Sequence, residues 1–220
     1  GDASADRPGL SSFMASMLSE GTQARNALQI ADEVAYLGAS IGAGSGSDST
    51  FVAGSALKKN FPALLDLMSD IALRPSFPAA EIERERASRQ ASLVQLRDDA
   101  NATAGRVLQA ALYGDKHPYG FSDLGTEAAI KAVKREDLQA LWRTIFVPNN
   151  AALVVAGNIS GDELKTLAEK YFGAWKSGVL PERKTSSPIS TKAKLVLVDK
   201  PGAPQTAIRV ATLGPARTTP

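Results

Sequence analysis

Five apolar residues near the start of the chain, Leu10, Phe13, Met14, Met17 and Leu18, recur at the spacing of one complete helix face. A segment patterned this way must bury that face, so it acts first as a packing element. The side away from the stripe is small, with Ser12, Ala15 and Ser16. Glycine frames the segment at both ends, Gly9 before it and Gly21-Thr22 after it.

Composition removes several kinds of chemistry. Cysteine is absent, which excludes disulfides, thiol catalysis and thiolate metal sites. The single histidine, His117, lies in Lys116-His117-Pro118-Tyr119-Gly120, a turn sequence, and reads as structural. One imidazole without cysteine is too little for a catalytic zinc site, which takes three protein ligands. With 25 basic and 23 acidic residues and no basic cluster, nothing points to nucleic acid. No apolar run is long enough for a membrane span.

Helical period returns over Ala27–Leu37, which Gly38 stops, and over Asn60–Leu73, which Arg74-Pro75 ends. Between them, Ala39–Leu57 is rich in Gly, Ser and Thr and reads as two strands with a turn near Gly46-Ser47-Asp48. A long charged helix is expected from about Pro78, its Glu81-Ile82-Glu83-Arg84-Glu85-Arg86 forming a solvated, self-pairing face. Further helices are expected over Val107–Leu112, after Thr126, over Lys134–Phe146, and after the capping sequence Ser160-Gly161-Asp162-Glu163. The last carries Leu164, Leu167, Tyr171, Phe172 and Trp175 as a core stripe. Strands are expected at Ala151–Ala156, Lys194–Val198 and Thr206–Leu213.

The run Gly9-Leu10-Ser11-Ser12-Phe13-Met14-Ala15-Ser16-Met17-Leu18-Ser19-Glu20-Gly21-Thr22 resembles the signature of the insulinase/pitrilysin zinc peptidases, which include the mitochondrial processing peptidases. That signature reads Gly-Leu-Ala-His-Phe-Leu-Glu-His-Met-Leu-Phe-x-Gly-Thr. In it, two histidines four apart hold Zn²⁺ on one helix face, and the glutamate between them activates water. Here Ser12 and Ser16 stand at the histidine positions and Ala15 at the general-base position. The family's third zinc ligand follows a Glu-Arg-Glu-Arg run by about two turns and falls on Ser92. A slip of one residue, to Ala91 or Leu93, gains no ligand.

The resemblance implies an α+β fold, helices packed on a largely antiparallel sheet, with the start of a second similar domain. Residues 1–175 are expected to form the inactive domain with its first strands missing, 176–193 a linker, and 194–220 the first strands of the second domain. It implies a non-catalytic half that shapes a peptide chamber, with zinc held by a partner catalytic half in the same polypeptide or a separate subunit. The arginine and tyrosine that such a half lends to catalysis lie beyond Pro220, so no catalytic residue is carried over. A structural subunit similar to the processing-peptidase-like core proteins is the alternative. A periplasmic or otherwise exported bacterial home is expected, and the strand pair over Ala39–Leu57 reads either as an edge merely covered by solvent or a partner or as the place where a peptide adds as a strand. The four positions Ser12, Ala15, Ser16 and Ser92 are expected on polar faces near a cleft.

Overall fold

The computed structural model describes residues 6–180 and 193–214. Most of the expected linker and the last residues of the expected second domain therefore lie outside the described residues. Helix α1 (Leu10–Met17) is followed by α2 (Ala27–Tyr36), a hairpin of β1 (Ser40–Ser45) and β2 (Thr50–Ser55), then α3 (Phe61–Leu73) and α4 (Ala79–Asp98). After these come α5 (Ala100–Tyr113), α6 (Glu127–Ala132), α7 (Arg135–Ile145) and α8 (Gly161–Phe172).

Local chemistry explains the boundaries. Asn26 and Gln29 make a reciprocal capping box at the start of α2, each side chain accepting the other's backbone N–H at 2.9 Å. Asp99 ends α4 and caps α5, accepting from the backbone N–H groups of Asn101 and Ala102. Ser160 accepts from Glu163 N–H to open α8. The hairpin is antiparallel, pairing Ser40 with Ser55 through Ser45 with Thr50, so its turn falls on 46–49.

The stripe on α1 forms the centre of the core. Phe13, Met14, Met17 and Leu18 are buried together with Leu67 and Ile71 of α3, Ile82 and Leu93 of α4, and Leu138 of α7. Fully burying side chains of this size contributes roughly 1.5–3 kcal/mol each. Trp142 pins α7 to the end of α3 by donating its indole N–H to Ala72 O at 2.8 Å.

Backbone contact explains the framing glycines. Gly9 (φ 87°) and Gly125 (φ 83°) lie back to back, and a Cβ on Gly125 would sit 2.3 Å from Pro8 O. Gly21 approaches Ser76 and Pro78 and accepts the Ser76 N–H at 2.9 Å. Its neighbour Thr22 donates to Asp70, which is fully buried and also receives Arg25 and Arg74 at 2.8 and 2.7 Å. Burial opposes ionisation of Asp70, but these three hydrogen bonds outweigh it and hold the carboxyl below its ordinary range. Arg25 is held in turn by Glu33 and Asp66.

Two expectations are corrected. Ala151–Ala156, Lys194–Val198 and Thr206–Leu213 form no ladder among the described residues. Strands exist only as hydrogen-bonded pairs, and these segments leave Val154 and Leu195 88% and 96% exposed. The α8 stripe is half-buried, not core, because α8 lies at the rim against α3.

Candidate functional site

Ser12 and Ser16 lie one turn apart on α1, where the side chains project towards α4. The guanidinium of Arg89 on α4 reaches both, donating from Nη1 to Ser12 Oγ at 2.9 Å and from Nη2 to Ser16 Oγ at 3.3 Å. Its Nε donates to Glu85 Oε1 at 2.7 Å, and the same carboxylate oxygen accepts the Ser16 hydroxyl at 2.8 Å. The guanidinium carbon lies over the Phe13 ring, 4.9 Å from its centre, within cation–π range. Arg89 is only 8% exposed. The cluster is a largely buried ion pair, hydrogen-bonded to both serines, that clasps α1 to α4.

Serine hydroxyls are neutral and poor partners for zinc beside imidazole or carboxylate. A fixed positive charge within 3.3 Å of both hydroxyls opposes a second cation at the same place. Among the described residues no group of three His, Cys, Asp or Glu side chains is placed to hold a metal ion. The residues present do not fit zinc.

The other two positions behave differently. Ala15 has 0% exposure and packs in the core, which corrects the expectation that it lies on a polar face near a cleft. Ser12 and Ser16 are half-buried. Ser92 bonds back along its own helix, donating to Ser88 O at 3.0 Å, so in this structure Arg89 and Glu85, one and two turns earlier on α4, fill the face opposite the serines. Both residues escape a sequence reading that treats the charges of α4 as solvated. A signal was present: two hydroxyls replacing two imidazoles leave space, and a long cation one turn before Ser92 can occupy it.

His117 stays structural in geometry. Its Nδ1 accepts the Tyr119 N–H at 3.1 Å and its ring stacks on Tyr113 at 5.2 Å. Ser12 also donates to the carbonyl of Asp123, linking α1 to the loop that follows this turn.

Residues 2–120 match the family described as Insulinase (Peptidase family M16), and residues 132–220 match the Peptidase M16 inactive domain. An uncharacterised zinc protease of Mycobacterium tuberculosis is 26% identical over 220 residues, covering 98% of this chain and 50% of that protein. The crystal structure of a peptidase M16 inactive domain from Pseudomonas fluorescens superposes with a TM-score of 0.77 at 23% identity, covering 84% of this chain and 45% of that one. The periplasmic protease PqqL of Escherichia coli gives 0.73 at 17% identity, with coverage of 84% and 21%. The chain spans half or less of the length of these relatives.

Proposed function

The chain belongs to the insulinase family, peptidase family M16, and on that premise we propose that it is the non-catalytic half of a zinc metallopeptidase. In this reading it walls a peptide chamber, and a catalytic half, in the same polypeptide or a separate subunit, holds the zinc and hydrolyses the bond. The observation that carries it is Arg89, whose guanidinium lies across Ser12 and Ser16 where the family's metal would be liganded. The scaffold is kept, and the metal's place is taken by a side chain that cannot activate water. The relatives named as zinc proteases, and the fold likeness to a periplasmic protease, support a peptidase assembly in an exported bacterial setting.

The test is cleavage of a library of unfolded peptides by this chain alone and by the chain together with its catalytic half. The chain alone should cleave nothing and should retain no stoichiometric zinc after dialysis against a micromolar solution. The assembly should cleave, and a chelator should abolish it. An assembly that cleaves no peptide would instead support the structural-subunit reading. Tight binding of one zinc by this chain would overturn both.

A further inference from the structure

Two acceptor tripeptides for N-linked sugar, Asn-x-Ser/Thr with x other than proline, occur in the chain: Asn101-Ala102-Thr103 and Asn158-Ile159-Ser160. Both asparagines are exposed. They differ in what precedes them, because Asp99 stands two residues before Asn101 whereas Ala156 stands two before Asn158. Asn101 lies in the first turn of α5, just past the break at Asp99 that separates this helix from α4. Its Oδ1 accepts from Arg209 Nη2 at 2.8 Å, and its Nδ2 donates to no group among the described residues. The amide oxygen is held, and the amide nitrogen is left to solvent.

An enzyme that reads three consecutive residues from one side needs them extended, since a helix turns each by about 100° from the last. The first turn of α5 opens at small cost. The first N–H groups of a helix have no intrahelical partner. What is given up is the cap from Asp99 to Asn101 and Ala102, and the bond from Thr103 N–H to Asp99 O at 3.0 Å. No residue of α5 is fully buried, so the turn comes away without uncovering a core side chain.

We propose that Asn101 is the acceptor of an N-linked oligosaccharide, selected over Asn158 by the carboxylate of Asp99. Once released from the cap, that carboxylate offers the transferase a charge-assisted contact. The donor is a sugar chain carried on a lipid pyrophosphate. Asn101 Nδ2 attacks C1 of the first sugar, and the N–C1 bond forms as the C1–O bond to the pyrophosphate breaks. The electron pair of that bond leaves with the pyrophosphate. The amide nitrogen gives one proton to a base of the transferase, and nothing is oxidised or reduced. Oδ1 is untouched, so the bond from Arg209 is available again when α5 closes beneath the sugar. The inference takes from the proposed function only the exported setting, where this modification occurs.

The test exports the full chain from bacterial cells that hold an oligosaccharyltransferase and its lipid-linked sugar. Intact mass and the tryptic peptide of residues 98–106 are read by mass spectrometry. That peptide should gain the mass of one sugar chain, and the peptide holding Asn158 should gain none. Asn101→Gln and Thr103→Ala should each abolish the gain. Asp99→Asn keeps a capping side chain, so α5 still starts in place, but occupancy should fall about tenfold. A parent chain without added mass, in cells that modify a reference acceptor protein, overturns the proposal whatever the variants do. So does added mass that persists in Asn101→Gln, equal occupancy of Asn158, or undiminished occupancy in Asp99→Asn. Peptide cleavage by the assembly is measured separately, so failure here leaves the chamber reading standing.

Discussion

Replacing Arg89 by methionine keeps most of the aliphatic stem against Phe13 and deletes the charge. The structure sets the size of the effect. Removing one partner of a buried ion pair costs about 3–5 kcal/mol, because the other charge is left without compensation. Here Glu85 retains the Ser16 hydroxyl at 2.8 Å, and its side chain is 19% exposed, so water and that hydroxyl recover part of the loss. The expected destabilisation for Arg89→Met is therefore about 2–3 kcal/mol, intermediate between a buried and a surface pair. Removing the stranded charge as well, in Arg89→Met with Glu85→Leu, should return the protein to within about 1 kcal/mol of the parent, since apolar replacement of a whole buried pair is often close to neutral. Urea unfolding of the parent, the two single variants and the double variant completes a cycle whose coupling should be about 1.5 kcal/mol or more. The reasoning fails if Arg89→Met unfolds within about 0.5 kcal/mol of the parent, the range of an ordinary surface change. It also fails if the double variant is no more stable than the single one.

Two further outcomes are expected. The folded-state pKa of Asp70 lies below its ordinary value, so its contribution to stability is complete above about pH 4 and is lost as pH falls further; Asp70→Asn should lower the urea midpoint at neutral pH and flatten its fall between pH 5 and 2, and an unchanged acid limb would refute this. Ser12→His with Ser16→His and Ser92→Glu should take up zinc, measured by metal analysis and calorimetry, only when Arg89→Ala is added; equal uptake with Arg89 in place would show that the guanidinium does not occupy the metal's position.

What could be read from the sequence was mostly what is decided locally. The stripe on α1, the helix that starts at Ala27, the stop at Arg74-Pro75 and the hairpin turn at 46–49 each depend on neighbours a few residues away, and each stands where expected. The family likeness was legible for the same reason, because Gly9 and Gly21 keep backbone geometries that few other residues allow and the neighbouring Thr22 hydroxyl binds the buried Asp70. Strand pairing is not local. Val154 and Leu195 have strand-like surroundings in the sequence, but a ladder also needs a partner strand, and none is paired with them among the described residues. The site failed to show itself for a related reason. The Glu85–Arg89 pair has the same i, i+4 spacing as the exposed Glu127–Lys131 pair. Only the packing of α4 against α1, which joins residues 73 and 77 positions apart, turns it into a buried clasp. Ala15 was misplaced because a small residue fits a polar face and a packed core equally well, and periodicity alone does not separate them.

The difference between a bound ion and Arg89 is one of mass action. An ion that strengthens a folded state does so by an amount that rises with its free concentration over its dissociation constant, and it vanishes when the ion is withdrawn. Arg89 is covalently part of α4, so its local concentration beside Ser12 and Ser16 is fixed by the chain and cannot be diluted or competed away. The α1–α4 seam is thereby as strong under metal starvation as in metal excess. A chelator should therefore leave the strength of this seam unchanged.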